Sequence, residues 1–230
     1  MKIISISDTH CRLRQVTVPD GDLLIHSGDL TFQGNVQEIS QELRELGRIA
    51  KKFKHGCVLI AGNHDRLSER NPSLMEQMCK DEGLTYLCNS GVEINGLKLW
   101  GSPIQPSFCN WAWNRERGDE IKKYWDLIPD DINVLITHGP PMNILDGVEH
   151  FNGKTCKFEL EHVGCWDLYN RVMQLKYLKL HVFGHIHCGA GSIKIGETTF
   201  INASICTEKY KPTNPPFIIS IEGPGPLGPA

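Results

Sequence analysis

Short apolar segments recur along the chain, and many of them stop abruptly at Asp, Asn or His. Segments of this length that are bounded by glycine and polar residues are typical of buried strands. The pattern predicts strands at residues 2–7, 22–27, 57–61, 85–88, 131–137, 179–183, 191–195, 198–202 and 217–221. Asn95-Gly96 tolerates the positive φ angles of a type I′ turn, so residues 92–94 and 97–100 are predicted to form a hairpin.

Longer segments between these strands carry apolar residues at the spacing of a helix. In residues 34–54 the apolar side chains recur every three or four positions, which predicts an amphipathic helix; they are Val36, Ile39, Leu43, Leu46, Ile49 and Phe53. Further helices are predicted at residues 73–82 and around residues 157–175. Strands that alternate with helices, together with hairpins late in each half, favour an α/β fold layered as an αββα sandwich.

Length and composition favour one globular domain. The chain has 230 residues, and 40% of them are hydrophobic, which suits a single large α/β core. Because no linker or repeat divides residues 1–222, they are predicted to form one domain. Residues 223–230 are rich in Gly and Pro and are expected to form a mobile tail.

Charge and cysteine usage narrow the classes of partner and compartment. The formal net charge of -3 gives no polybasic surface, so strong nucleic-acid binding is not expected. No apolar run has the length needed to cross a bilayer, and the N-terminal segment is too short and too polar for a signal peptide. Nine scattered cysteines without a CxxC pair indicate reduced thiols, and the chain is predicted to be cytoplasmic.

Five predicted strands deliver metal-ligand side chains at their carboxyl ends, where binding sites form in sheets of this kind. These side chains are Asp8, His10, Asp29, Asn63, His64, His138, His185 and His187. A single histidine at a strand end is usually structural, so the prediction of a metal site depends on the convergence of the whole set. Oxygen and imidazole donors without a thiolate suit Mn²⁺, with Fe or Zn²⁺ as alternatives.

Two pairs in this set have a spacing of two residues. In extended backbone, residues i and i+2 point to the same side. We therefore expect Asp8 with His10, and His185 with His187, to reach one site from two strand ends. Glycines beside these residues, at positions 28, 62, 139 and 184, allow tight turns and a close approach of the backbone.

The same residues lie in motifs that resemble those of the calcineurin-like metallophosphoesterase superfamily. The motifs follow the order of that family and span most of the chain: Asp8-Thr-His10, Gly28-Asp29, Gly62-Asn-His-Asp65, Thr137-His138 and Gly184-His-Ile-His187. Longer stretches are similar to its MPPED branch: His26-Ser-Gly-Asp-Leu-Thr31, Thr137-His-Gly-Pro-Pro141, Val163-Gly-Cys165, His181-Val-Phe-Gly184, Ile201-Asn-Ala-Ser204 and Pro212-Thr-Asn-Pro-Pro216.

The resemblance implies a centre of two divalent metal ions that hydrolyses phosphate esters. One ion would be held by Asp8, His10, Asp29 and His187. The other would be held by Asp29, Asn63, His138 and His185, so that Asp29 bridges the two ions. Asn63 and His64 would face the substrate phosphate. His64 would protonate the leaving oxygen, and Asp65 would orient His64.

Two differences from related groups bear on the activity. In the protein phosphatases of this superfamily an arginine follows the Gly-Asp motif, whereas here the chain continues Leu30-Thr-Phe-Gln-Gly34. This disfavours a phosphoprotein phosphatase. The vertebrate MPPED branch has glycine in place of the first histidine of Gly-His-x-His, which weakens its second metal site. This chain keeps His185, so the resemblance implies an intact second site.

The substrate pocket is less defined by the sequence. Trp111 and Trp113 would form an aromatic wall for a nucleobase or, equally, a hydrophobic cluster over the core, and His162 is a candidate pocket residue. The predicted function is a metal-dependent phosphodiesterase acting on cyclic nucleotides or similar small phosphodiesters. The alternatives are a phosphomonoesterase or nucleotidase, and a nucleotide-binding scaffold with vestigial catalysis. The expected partner is a small phosphate ester, with no membrane.

Overall fold

The structure, a computed structural model, describes residues 1–153 and 157–222. Its helices are α1 (Val36–Ala50), α2 (Leu67–Arg70), α3 (Pro72–Asp81), α4 (Asp119–Trp125) and α5 (Trp166–Val172). Its strands are β1 (Lys2–Ile6), β2 (Leu23–His26), β3 (Cys57–Leu59), β4 (Thr85–Tyr86), β5 (Ser90–Ile94), β6 (Leu97–Ser102), β7 (Gln105–Pro106), β8 (Asn114–Arg115), β9 (Val134–Thr137), β10 (Gly147–Asn152), β11 (Lys157–His162), β12 (Leu180–Phe183), β13 (Gly191–Ile195), β14 (Thr198–Asn202) and β15 (Phe217–Ser220). The predicted tail, residues 223–230, lies outside the described residues.

Most of the strands belong to two sheets with parallel centres. The first sheet has the order β15-β1-β2-β3-β4, and only β15 runs antiparallel to its neighbour. The second has the order β13-β14-β12-β9-β6-β5, with antiparallel strands at both edges. Because strands within each centre are parallel, their carboxyl ends meet at one edge of the sheet.

Three layers of buried apolar side chains hold the sheets and helices together. Ile25 and Val58 of the first sheet pack with Ile136 and Val182 of the second sheet in the middle layer. The first outer layer packs helix α1 on the first sheet, and the second packs α4 and α5 on the second sheet. This arrangement confirms the predicted αββα sandwich. In the described part of the chain, no helix combines the length and apolar character that crossing a membrane requires.

The start of α1 fixes the loop that follows Asp29. The Asn35 side chain accepts a hydrogen bond from the Glu38 backbone N–H at 3.0 Å, which caps the helix. The Glu38 carboxylate in turn accepts the backbone N–H groups of Phe32, Gln33 and Gly34. The helix therefore begins at Val36, and its first turn holds the chain segment that leads out of the second strand.

The predicted helix around residues 157–175 is wrong in its first half. Residues Lys157–His162 form strand β11, which pairs antiparallel with β10, and the helix is confined to Trp166–Val172. Apolar residues alternate with charged ones here, as Phe158 and Leu160 do, which is the period of a strand. Between the strand and the helix, Gly164 passes so close to Pro141 that a Cβ would lie 2.5 Å from its carbonyl oxygen. The other predicted strands and helices are present, mostly with shorter bounds.

Candidate metal centre

The Asp29 carboxylate lies between two groups of histidines at the carboxyl ends of the strands. Its Oδ2 atom is 3.4 Å from His138 Nε2 on one side and 3.8 Å from His10 Nε2 on the other. Its Oδ1 atom accepts the His64 backbone N–H at 2.8 Å. One oxygen is therefore held by the backbone, and the other faces both groups of imidazoles.

The first group joins Asp8, His10 and His187 beside Asp29. His187 Nε2 lies 3.3 Å from Asp8 Oδ1 and 3.2 Å from His10 Nε2. The other Asp8 oxygen, Oδ2, accepts hydrogen bonds from Ser204 Oγ at 2.8 Å and from the His185 backbone N–H. Strand ends that are almost 180 residues apart in the chain thus meet at one point.

The second group joins Asp29, His138 and His185. The rings of His138 and His185 stand edge to face with centroids 5.1 Å apart. Asn63 adds an amide oxygen, because its Oδ1 lies 2.9 Å from His138 Nε2. The six other predicted metal ligands therefore lie around Asp29.

Backbone carbonyl oxygens fix the ring orientation of four histidines at the centre. A carbonyl oxygen only accepts hydrogen bonds, so each Nδ1 carries a proton and each Nε2 is directed to the centre. The pairs are His10 with Thr31 at 3.2 Å, His64 with Phe32 at 2.7 Å, His138 with Ser27 at 3.0 Å and His187 with Thr207 at 3.0 Å. This pattern of outer hydrogen bonds is the usual one for metal-binding imidazoles.

The ligand pairs converge through turns and not through the alternation of an extended strand. Asp8, His10, Asp29 and His185 all have positive φ angles, between 42° and 67°. Such backbone is strained for residues other than glycine, and it tends to occur at functional sites. Asp8 and His10 lie in the same group of ligands, whereas His185 and His187 lie in different groups on the two sides of Asp29. The i, i+2 geometry expected for the pairs therefore does not apply.

Glycine is required where the backbone passes closest to the carboxylates. A Cβ at Gly62 would lie 2.2 Å from Asp29 Oδ1, and a Cβ at Gly184 would lie 2.0 Å from Asp8 Oδ2. Any side chain would therefore displace a carboxylate of the centre. This explains the predicted role of these two glycines in a close approach of the backbone.

Burial and the two carboxylates together set the charges of the centre. Burial would lower the pKa of His138, but the adjacent Asp29 raises that pKa to about 9. At His185 burial dominates and lowers the pKa to about 3. Burial would raise the pKa of Asp29, yet the neighbouring His138 holds it below its usual range. A cation that binds here must displace the His138 proton, so metal affinity is expected to fall as the pH falls.

Comparison with known proteins places the chain in a family. Residues 1–189 match the family described as Calcineurin-like phosphoesterase. The chain belongs to this family. It is therefore a member of a family of metal-dependent phosphoesterases, which are hydrolases.

Similar proteins occur in animals. The human protein named metallophosphoesterase domain-containing protein 1 is 35% identical over 246 aligned residues, which cover 97% of this chain and 72% of that protein. A UPF0046 protein of Caenorhabditis elegans is 36% identical, with 97% of this chain and 82% of that protein covered. A solved structure titled as a novel archaeal phosphodiesterase covers 95% of this chain at 14% identity, with a TM-score of 0.44.

The donors at the centre fit the divalent metal ions that the calcineurin-like family implies. Asp8 and Asp29 are buried, and neither forms an ion pair with a lysine or arginine within residues 1–153 and 157–222. Nε2 atoms of His10 and His187 face each other at 3.2 Å while both Nδ1 atoms donate to carbonyls. A cation between such lone pairs and carboxylates would neutralise the buried charge.

The expected partnership between His64 and Asp65 is wrong. The His64 Nδ1 atom donates to the Phe32 carbonyl oxygen. Asp65 instead accepts hydrogen bonds from the backbone N–H groups of Gly62 and Thr31 and from the Thr31 hydroxyl. Because the Asp65 side chain is buried, its carboxylate needs hydrogen-bond donors from the protein, and these groups supply them. The carboxylate therefore ties the loop of Asp29 to the loop of Asn63, and a carbonyl orients the His64 ring.

The two tryptophans have different places, and neither offers a free face for a base. Trp113 is buried, with 6% of its surface exposed, and its indole N–H donates to Ser68 Oγ at 2.8 Å. The Trp111 ring lies against the His64 ring, with centroids 4.0 Å apart and 31° between the planes. The Arg66 guanidinium covers Trp111 at 4.3 Å from the ring centroid. Trp111 is thus enclosed between His64 and Arg66.

His162 lies away from the metal ligands. It lines a separate cavity of about 820 Å³ together with Arg117 and Trp166. Its Nδ1 atom donates to the buried Asp146 carboxylate at 2.6 Å, which joins the two ends of the β10–β11 hairpin. A role of His162 in substrate binding at the metal centre has no support in this geometry.

The walls of the metal cleft contain residues that the sequence did not single out. The cleft, about 230 Å³ in volume, is lined beside the ligands by Phe108, Val148, Ile186, Cys188, Glu208 and Tyr210. The rings of Tyr210 and His10 form a T-shaped contact with centroids 4.9 Å apart. Ser204, which holds Asp8, lies in the Ile201-Asn-Ala-Ser204 stretch already noted. Ile186 lies within the Gly184-His-Ile-His187 motif and Cys188 directly follows it, whereas Phe108, Val148, Glu208 and Tyr210 lie outside any motif, so no sequence signal identified these four.

Proposed function

We propose that this protein is a dinuclear metal-dependent phosphodiesterase that acts on small phosphodiesters such as cyclic nucleotides. The observation that supports this most is the position of Asp29 Oδ2 between two separate sets of ligands, 3.4 Å from His138 and 3.8 Å from His10. One carboxylate that faces two sets of donors is the arrangement of a two-metal site.

Each set would hold one divalent ion. Asp8, His10 and His187 would bind one ion with Asp29, and Asn63, His138 and His185 would bind the other with Asp29. The donors are oxygen and imidazole nitrogen without a thiolate, which suits Mn²⁺, with Fe or Zn²⁺ as alternatives. When bound, the ions polarise the phosphate oxygens and activate water for attack on phosphorus.

His64 would serve as the acid for the leaving oxygen. Its ring is largely buried, with 8% of the residue exposed, and its Nε2 atom lies 4.0 Å from Asp29 Oδ2. Because Nδ1 is fixed on the Phe32 carbonyl, Nε2 of the imidazolium is the nitrogen that would donate a proton. Asn63 and His64 both line the cleft beside Asp29, so both would contact the phosphate.

Charges in the cleft favour a diester over a monoester. The cleft-lining residues include the carboxylates of Asp29 and Glu208 and, among the described residues, no lysine or arginine. A phosphomonoester carries two negative charges near neutral pH, and proteins commonly bind such groups with arginine. A phosphodiester carries one charge, and the ions and histidines would suffice to bind it.

The test compares two chromogenic esters in the presence of Mn²⁺. We expect kcat/KM for bis(p-nitrophenyl) phosphate to exceed that for p-nitrophenyl phosphate, and EDTA to abolish both activities. A clear preference for the monoester would instead indicate a phosphomonoesterase or nucleotidase. Full metal loading without turnover of either ester, or of a cyclic nucleotide, would indicate a nucleotide-binding scaffold with vestigial catalysis.

The stack of Trp111 on His64 leads to a prediction about the acid. Trp111→Ala is expected to lower kcat by about tenfold for a diester with an alkoxide leaving group, since a misplaced acid loses part of its 10²–10⁴ contribution. KM should change little, and Trp111→Phe should retain most of the rate because it keeps the ring contact. A p-nitrophenyl leaving group needs less protonation, so an equal loss with both leaving groups would indicate a general structural role instead.

A further inference from the structure

One wall of the metal cleft is a loop that is tied directly to a metal ligand. His187 Nδ1 donates to the Thr207 carbonyl oxygen at 3.0 Å, and the Tyr210 backbone N–H donates to the same carbonyl at 2.8 Å. The Tyr210 ring contacts the rings of His10 and His187 edge to face. These contacts hold the turn that carries Glu208 beside the ligands of the first ion.

Glu208 places an unpaired carboxylate in this wall. It lines the cleft with Asn63 and His64, and it forms no hydrogen bond or ion pair with any residue that the structure describes. The neighbouring Lys209 and Lys211 are not among the cleft-lining residues. Glu208 therefore brings a negative charge to the cleft without a compensating cation from its own loop among the lining residues.

The remaining walls are apolar or aromatic. Phe108, which is 55% exposed, forms a T-shaped contact with His185, with ring centroids 5.9 Å apart. Val148 and Ile186 line the cleft near it. An organic group attached to the ester phosphate would thus meet rings and aliphatic side chains, together with the single negative charge of Glu208. An uncharged or cationic group suits such walls, whereas a second phosphate does not.

We propose that the cleft selects phosphodiesters that bear no negative charge besides the ester phosphate, and that Glu208 sets this selection. This inference rests on the phosphodiesterase activity proposed above and deepens it. It excludes nucleoside polyphosphates and oligonucleotides as good substrates, and it admits cyclic nucleotides and diesters of neutral or cationic alcohols. Because Glu208 is exposed to solvent, its effect should weaken with salt over a Debye length of about 10 Å at 0.1 M.

The test uses two esters that differ only in a remote charge. Thymidine 5′-(p-nitrophenyl phosphate) and the same compound with a 3′-phosphate release p-nitrophenol from the same bond. With the Mn²⁺-loaded protein, kcat/KM is expected to be more than about tenfold higher for the first ester. Glu208→Gln should lower this ratio of kcat/KM values by about threefold to tenfold, mainly because kcat/KM for the 3′-phosphorylated ester rises. Raised salt should lower the ratio in the wild type but change it little in the variant.

A matched control removes a carboxylate elsewhere. Glu197→Gln changes the net charge by the same amount at a side chain that is 94% exposed and lies outside the cleft, so the ratio should stay at the wild-type value. If Glu208→Gln changed kcat/KM equally for both esters, or if the wild-type ratio were near one, the proposed charge selection would be contradicted. The proposed phosphodiesterase activity would still stand, because both esters would be hydrolysed.

A binding measurement separates the two proposals if turnover is absent. Calorimetry of the Mn²⁺-loaded protein would give Kd values for thymidine 5′-monophosphate and thymidine 3′,5′-bisphosphate. We expect the monophosphate to bind more tightly and Glu208→Gln to narrow the Kd ratio. Hydrolysis of neither ester would reject the phosphodiesterase, and a Kd ratio unchanged by the substitution would reject the role of Glu208.

Discussion

Replacing Asp29 with asparagine is expected to lower the metal content from two ions per chain to less than one. It should also reduce kcat/KM for bis(p-nitrophenyl) phosphate by about 10²–10⁴, because neither ion keeps its shared ligand. Asp29 Oδ2 faces both sets of imidazoles, at 3.4 Å from His138 Nε2 and 3.8 Å from His10 Nε2. The measurement is elemental analysis of the purified protein alongside steady-state kinetics.

The fold should survive this substitution. The asparagine side chain keeps an oxygen able to accept the His64 backbone N–H, the bond that Asp29 Oδ1 makes at 2.8 Å. Thermal unfolding in EDTA should therefore remain cooperative but occur at a somewhat lower temperature than in the wild type, since the substitution removes the carboxylate that faces the His138 imidazolium at 3.4 Å. Two full equivalents of metal in the variant would contradict a bridging role of Asp29.

Replacing His64 with alanine is expected to lower kcat by about 10²–10⁴ for a diester with an alkoxide leaving group, through loss of the acid. The effect should be smaller for bis(p-nitrophenyl) phosphate, because p-nitrophenolate leaves without much protonation. Metal content should remain at the wild-type value. Kinetics on a 3′,5′-cyclic nucleotide and on the chromogenic diester, with elemental analysis of the same samples, provide the comparison.

The metal measurement is decisive for His64 because the geometry also permits another role. One of its ring nitrogens lies within 4.8 Å of donor atoms of His10 and Asp29, so that these three residues form a further group of candidate ligands. If the His64→Ala variant lost a metal ion, His64 would have to be assigned as a metal ligand and not as the acid. Unchanged turnover of the cyclic nucleotide would remove His64 from the mechanism altogether.

The convergence of the candidate ligands could be predicted from the sequence because parallel strands bring their carboxyl ends to one edge of a sheet. Asp8, Asp29 and His138 each follow a short apolar strand, and the edge where such strands end is common to all of them. The hydrogen bonds around these ligands were less predictable. Asp65 follows His64 in the chain, but backbone donors 34 and 35 residues away hold its carboxylate. Such partners depend on how two loops pack.

The walls of the cleft could not be predicted from local patterns. Trp111 and Trp113 look alike in the sequence, yet one is stacked on His64 and the other is buried in a core cluster. Tyr210 has a positive φ angle of 54°, which follows from the turn that it occupies and not from a preference of tyrosine. In the segment expected to form a helix around residues 157–175, the first part is a strand, because its apolar residues alternate with charged ones.

Anomalous scattering from crystals grown with Mn²⁺ would test the two-metal centre most directly. We predict two peaks per chain, one among Asp8, His10 and His187 and the other among Asn63, His138 and His185, with the Asp29 carboxylate in contact with both ions. A single peak, or two ions of which only one contacts Asp29, would contradict the centre described here.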